Sequence, residues 1–268
     1  MNKIFVVSHV VPDRELNPGY SLLKVGGSDF SAEFTDATGE NIAALNPFYS
    51  ELTALYWIWK NYRCDPGAIV GMVHYRRFFG YPNVVSVFRK EIISSDDIYS
   101  QMVRSDILIP QGRYFKDGLY GQYAKSHVLS DLDACLNYLQ DKQWLTDALW
   151  QRFKQEKTGA ICNMLVTRKI FLDDYCEWLF SILFAVEPTL RLGDRDPYQR
   201  RGMGFLSERL FNLWLWSKPD IKVTELPIIR VDRSQWSNLN NARKYFIGRL
   251  KNKIIAVIGR IPKSVTAF

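Results

Sequence analysis

The chain has 268 residues, 47% of them hydrophobic, enough to bury a substantial core in one large domain or two small ones, and this excludes disorder as a description of the whole. Its four cysteines (Cys64, Cys135, Cys162, Cys176) form no C-x-x-C pair and have no histidine at ligand spacing, so neither zinc nor a disulfide framework is suggested and reduced thiols are expected. The formal charge of +7 is uneven: from Ser234 to Phe268 every charged residue is Lys or Arg, so the basicity belongs to the tail and the rest of the chain is near neutral.

In chain order, "KIFVVSH" (Lys3 to His9) is a β-branched and aromatic run that predicts a buried first strand ended by Pro12. The apolar start is broken by Ser8 and His9 and followed by "PDRE", which does not fit a secretory signal, and no run approaches the roughly 18–20 apolar residues of a spanning helix. The next thirty residues, rich in Gly, Ser, Asp and Asn, read as irregular. "YSELTALYWIWKN" (Tyr49 to Asn61) sets Leu52, Leu55, Tyr56 and Trp59 on one helical face, with Asn46 and Pro47 as its start. "AIVGMVHY" (Ala68 to Tyr75) predicts a second buried strand and "DILIP" (Asp106 to Pro110) a third, after a polar helix near Ser94 to Val103.

Helical patterns follow from Ser130 to Leu139 and from Leu145 to Phe153. "ICNMLVTRKIFLDDYCEWLFSILFAVE" predicts a strand, a turn at Thr167 to Lys169 and a long amphipathic helix from Ile170 to Glu187. "GFLSERLFNLWLWS" is another helix, and "IKVTELPIIRV" is strand-like. Strands alternating with helices argue an α/β layer fold, with the first composition shift near Arg233.

Ligands of open α/β sheets collect outside the carboxyl ends of strands, and "GMVHYRRFFG" puts His74, Tyr75, Arg76 and Arg77 there. Two guanidiniums at that place suit a phosphate or diphosphate, because Arg offers a planar fork of donors and keeps its charge; a strand end with solvated arginines is the competing reading. His9 ends the first strand and can face the same crevice. His127 lies four residues before Asp131, a spacing that puts both on one helical face, where a surface contact is the plainer explanation. "RRGMGFLSERL" reads as a flexible glycine approach to a helix with Glu208 and Arg209 in its first turns. A carboxylate there can serve as a general base or simply complement the helix dipole. Asp194 and Asp196 form a D-x-D that can bind a divalent cation, but Pro197 and the loop context favour a plain turn. In the tail, Ile247, Leu250, Ile254, Val257 and Ile261 recur at helical spacing opposite the cations, a pattern for a helix lying in an anionic membrane interface or for a packing helix. No nucleic-acid module accompanies these charges, so nucleic acid is not expected as a partner.

Taken in order, "KIFVVSH", "TGENIAALNPFYSELTALYWIWKN", "GMVHYRRFF", "DILIP", "NMLVTRKIFLDDYCEWLFSILF" and "GFLSERLFNLWL" resemble the bacterial capsule and O-antigen glycosyltransferase family formerly labelled a domain of unknown function, whose characterised members transfer galactofuranose. The resemblance covers about residues 3 to 230 and does not reach the tail. It implies a GT-A-like fold over residues 1–232, a UDP-sugar donor with UDP-galactofuranose the leading candidate, and inversion at the anomeric carbon. It implies donor-side roles for His74, Tyr75, Arg76 and Arg77, and less specifically for Ser8, His9, Asn41 and Glu51. His127 and Arg209 are expected on the acceptor side, with Glu208 as the base and Asp131 in reserve. H-Y-R-R stands where GT-A enzymes usually carry a metal-binding D-x-D, so no cofactor is expected, Mn²⁺ or Mg²⁺ being the alternative. The wider fold often has glycine near the position of Cys162, a departure that leaves the donor-loop roles open. A polyprenyl-diphosphate-linked glycan acceptor at the cytoplasmic face of the inner membrane, with residues 233–268 as a membrane-associating tail, completes the expectation. Another UDP-hexose (UDP-galactopyranose or UDP-glucose), or a non-catalytic glycan- or nucleotide-binding subunit, are the alternatives.

Overall fold

The structure, a computed structural model, describes residues 1–27, 29–240 and 243. The predicted amphipathic helix of the tail lies outside them. The first strand, Lys3–Ser8 (β1), has buried residues on both faces, because it is the centre of the sheet. Phe5 and Val7 face one apolar cluster while Ile4 and Val6 face another. The stretch expected to be irregular contains two short parallel strands, Tyr20–Lys24 (β2) and Phe34–Thr35 (β3), with β2 paired to β1 along its whole length. Their shortness and flanking glycines hide them from periodicity.

The helix predicted over Tyr49 to Asn61 is two pieces, Asn46–Tyr49 (α1) and Leu52–Asn61 (α2), separated at Ser50 by a backbone φ of 51°. Ile69–His74 (β4) is buried throughout and pairs with β1 in parallel. It turns at once into Arg77–Phe79 (β5), followed by Val84–Arg89 (α3) and Ser95–Gln101 (α4). The Asn83 and Ser94 side chains cap these two helices by accepting from Ser86 N–H and Asp97 N–H. Ile107–Pro110 (β6) and Arg113–Tyr114 (β7) precede three helices, Gly118–Ser126 (α5), Leu129–Asp141 (α6) and Asp147–Gln155 (α7).

After Thr158–Gly159 (β8), Leu165–Arg168 (β9) runs straight into Lys169–Val186 (α8) with no intervening turn. Gly202–Ser217 (α9) leads to Val223–Leu226 (β10) and Ile228–Arg230 (β11), the single predicted strand being split at Pro227. The sheet order is β10-β6-β9-β4-β1-β2-β3, with β9 antiparallel to both its neighbours and the β5–β11 pair branching from β4. One face is covered by α2, α6, α8 and α9, where Tyr56, Trp59, Phe180 and Phe184 form an aromatic cluster with Trp59 stacked on Phe180 at 5.8 Å. β1 has β2 on one side and β4 on the other, so the connections diverge between β1 and β4. That switch point leaves a crevice at the carboxyl edge of the sheet. No helix among the described residues is long and apolar enough to cross a membrane.

Candidate active site

At the carboxyl edge β4 ends on His74, which pairs in register with Arg77 across the turn into β5. The two arginines of the turn serve different flanks. The Arg76 guanidinium lies 4.8 Å over the Tyr75 ring, and Tyr75 meets His9 edge-on at 5.3 Å. Burial, followed by the charges of Arg76 and Arg201, pushes the His9 pKa down. This is the crevice flank between β1 and β4. Arg77 instead lines a cleft on the other side, together with Cys162.

Between the flanks lies a polar hub centred on Asn163. Its Nδ2 donates to Glu51 Oε1 at 2.9 Å and to the Gly204 carbonyl at 3.0 Å, and its Oδ1 accepts from the Ser207 hydroxyl at 2.8 Å. The Asn163 carbonyl faces His74 Nε2 at 3.4 Å, which assigns the proton to that nitrogen. Burial holds His74 below the ordinary histidine pKa, with Glu51 opposing and Arg77 adding to the depression, so the ring is neutral at pH 7.

Cys162 and Asn163 both have positive φ, 101° and 45°. Asn visits the left-handed region readily, whereas a cysteine at 101° does so only when its surroundings hold it. The holding contact is Glu208, whose Oε1 accepts the Cys162 N–H at 2.8 Å while Oε2 accepts from Arg209 Nη1 at 2.8 Å. The Arg209 side chain is 2% exposed and also donates to Gln122 Oε1; Glu208 keeps 17% exposure. Burial raises the Glu208 pKa, Arg209 opposes, and the neighbouring Glu51 raises it further. The site thus holds a partly accessible carboxylate with elevated basicity, fixed from two directions.

Glu208 stands on the second turn of α9, because Gly202 and Gly204 are inside the helix and not a flexible lead into it. A Cβ on Gly202 would come within 2.9 Å of Leu192 Cδ2, so close packing explains that glycine. Glu51, at the start of α2, faces Arg201 at 4.0 Å, and Arg201 donates to Ser50 Oγ.

Other expected residues lie elsewhere. Asp131 is 2% exposed and bound by both ends of the Arg195 guanidinium, at 2.5 and 2.8 Å. His127 and Asp131 do not share a helix: His127 is extended backbone closing α5, and Asp131 belongs to α6. The His127 ring stacks on Phe205 at 4.0 Å, and burial, then Arg209, pushes its pKa down to about 4. Ser8 folds its hydroxyl onto the Val10 carbonyl. Asn41 bonds within its own turn, to Gly39 and Ala43. Asp196 accepts from the backbone N–H of Tyr198 and Gln199, the plain turn reading. Among the described residues no three His, Cys, Asp or Glu gather in a metal-holding group. Sequence reasoning missed Asn163 and Ser207, whose only signal is their adjacency to Cys162 and Glu208, and it missed Arg113 and Arg230, which lie outside any motif.

A mixed sheet with this switch point, and a polar constellation on its carboxyl edge beside an inward-facing helix, is a GT-A-like fold. It matches the apo structure described as the bifunctional glycosyltransferase WbbM with a TM-score of 0.77 and 27% identity, over 87% of this chain and 45% of that one. The chain therefore spans less than half the length of that protein. A family model described as a domain of unknown function, DUF4422, matches residues 3–219, and the chain belongs to that family. No curated protein matches it.

Proposed function

We propose that the protein is an inverting glycosyltransferase that moves a sugar from a UDP-sugar, with UDP-galactofuranose the leading donor, onto a lipid-linked glycan in capsule, O-antigen or exopolysaccharide synthesis. The observation that carries this reading is Glu208: a carboxylate of raised pKa, fixed by the Cys162 N–H and Arg209 at the floor between two arginine-bearing flanks. The likeness to a bifunctional glycosyltransferase supports the reaction class. The galactofuranose donor and the lipid-linked acceptor rest on the family resemblance.

In this reading the uridine and diphosphate lie in the crevice by His9, Tyr75 and Arg76. Glu208 takes the proton of the acceptor hydroxyl as that oxygen forms a bond to the anomeric carbon. The bond from that carbon to the diphosphate oxygen breaks on the opposite face, and UDP leaves with the electron pair. Each oxygen of Glu208 has a second lone pair beyond the bond it already accepts, so the carboxylate can receive the proton without leaving its place. Arg76 neutralises the leaving diphosphate, a charge pair at about 4 Å and an effective dielectric near 20 being worth roughly 4 kcal/mol before desolvation. Neutral His74 holds the Asn163 turn and adds no third charge. Asp131, engaged by Arg195, ties α6 to the 190–195 segment and is not the base.

The test is UDP release from UDP-galactofuranose, UDP-galactopyranose and UDP-glucose with a lipid-linked galactoside acceptor, in EDTA and again with Mn²⁺. Acceptor-dependent release in EDTA from the furanose donor alone is the expected result. Strict Mn²⁺ dependence would overturn the arginine role, and release from none of the donors would overturn the transferase reading.

A further inference from the structure

The second flank is a cleft of about 440 Å³ outside the carboxyl ends of β6 and β10, a size within the range of ligand sites. Among the described residues Arg77, Arg113, Arg230 and Arg233 line it and no Asp or Glu does. The adjacent Asp232 accepts from Arg230 at 3.2 and 3.4 Å and faces Arg233 at 3.9 Å. Among the described residues neither Arg77 nor Arg113 forms an ion pair. Four guanidiniums exceed the two nearby carboxylates, Asp232 beside Arg230 and Arg233 and Glu208 behind Cys162 within reach of the Arg77 charge, and guanidinium forks match phosphate oxygens best.

His9, Tyr75 and Arg76 do not line this cleft. Ser237 and Asn238 help to enclose it, and Asn238 is buried, exchanging hydrogen bonds with the Arg230 backbone. Cys162 joins the cleft to the base, since it lines the wall and its N–H is bonded to Glu208. Tyr114 and Phe115 offer aromatic faces on which a sugar ring can stack.

We infer that this cleft is an acceptor-side anion site that binds a phosphate or diphosphate ester lying within one or two sugars of the hydroxyl presented to Glu208. The sequence of reactions follows from that spacing. An anion anchored next to the base leaves no room for a long glycan between them, so the substrate is a short phosphorylated saccharide made by an earlier sugar-phosphate transfer. The inference rests on the transferase reading for the identity of the acceptor, and on the arginine geometry alone for the anion.

The experiment uses the full chain and the double variant Arg113→Gln/Arg233→Gln, both residues being exposed, with thermal unfolding to verify the fold. Inorganic pyrophosphate is titrated calorimetrically with UDP saturating, so that the nucleotide crevice is filled. Binding by the native chain, weakened at least tenfold in the double variant, is expected. Competition by UDP would assign the anion to the nucleotide and overturn the inference, as would unchanged affinity in the variant. A second arm compares a diphosphate-linked disaccharide with the same disaccharide as a neutral alkyl glycoside. The diphosphate acceptor is expected to have a KM at least tenfold lower, and the double variant to erase that difference while the donor KM stays constant. Equal KM values for the two acceptors, or a rise in donor KM alone, would refute it. If no sugar moves in either arm while pyrophosphate binding behaves as expected, the anion site stands and the transferase reading falls.

Discussion

Replacing Glu208 by Gln isolates proton acceptance from shape. The amide can still accept the Cys162 N–H with its oxygen, but its NH₂ group then faces Arg209 Nη1, leaving the guanidinium with Gln122 as its remaining side-chain acceptor. Loss of one charged hydrogen bond at a side chain 2% exposed costs about 1–3 kcal/mol, or a few degrees to about 10 °C in Tm for a chain of this size. The chemical loss is larger. General-base catalysis contributes about 10²–10⁴-fold, which is about 3–5 kcal/mol of transition-state stabilisation. The assay is UDP release at 15 °C, where the variant remains folded, with near-ultraviolet circular dichroism on the same samples. Transfer should fall at least 100-fold with donor KM changed less than threefold, and Glu208→Asp should recover part of the rate. The pH profile supplies an independent sign. Because burial raises the carboxyl pKa and the ionised form is the active one, the native rate should drop as pH falls through a value above the ordinary carboxylate range of about 4.3. A folded Gln variant that retains more than a tenth of the native rate would refute the assignment.

Asn163→Ala removes three side-chain hydrogen bonds and places alanine at φ 45°, so it should lower stability by about 2–4 kcal/mol in chemical denaturation, more than Asn163→Gly, which relieves the backbone cost. Asp131→Ala strands the Arg195 guanidinium and should cost about 3–5 kcal/mol by the same measurement, yet leave transfer per folded molecule within threefold; a 100-fold loss would return Asp131 to the base role. Truncation after Asn240, which spares the Asn238 contacts, should abolish cosedimentation with anionic vesicles if the basic tail is the membrane anchor, and undiminished binding would dismiss that role.

The parts of the fold legible in the sequence are those where burial imposes a simple pattern. The β1 and β4 runs are continuous apolar segments because both faces of a central strand are covered, and α8 shows an apolar face because it packs on that sheet. β3 and β5 are too short for any period to register, β2 is masked by the Gly- and Asn-containing segments on either side of it, and the break at Ser50 is a backbone event with no apolar signature. At the site, H-Y-R-R drew notice through its charge, but charge does not reveal that Arg76 and Arg77 serve opposite flanks. The base role of Glu208 comes from the family resemblance, its helix position alone being equally explained by the helix dipole, while the contacts that define it, from Cys162 and Arg209, come from 46 residues away and from the adjacent residue. Spacing rules see pairs on one element; this constellation is assembled across four.

Cys162 holds a backbone φ that a glycine adopts freely, so its side chain needs a reason to be there. A glycine would reach φ 101° without steric cost, whereas the cysteine carries a penalty of about 1–2 kcal/mol. Burial, with Glu208 adding, pushes its thiol pKa up to about 12 and keeps it as S–H at pH 7. What the side chain does supply is volume, at the wall between the cleft and the base. Cys162→Gly should therefore preserve or slightly raise Tm, because the relieved strain offsets the lost packing, and it should leave the N–H bond to Glu208 in place. It should also admit water where the thiol stood, so UDP release without acceptor should rise several-fold relative to acceptor-dependent release. If that hydrolysis ratio is unchanged while Tm rises, the thiol has no sealing role and Cys162 is a tolerated substitute for glycine.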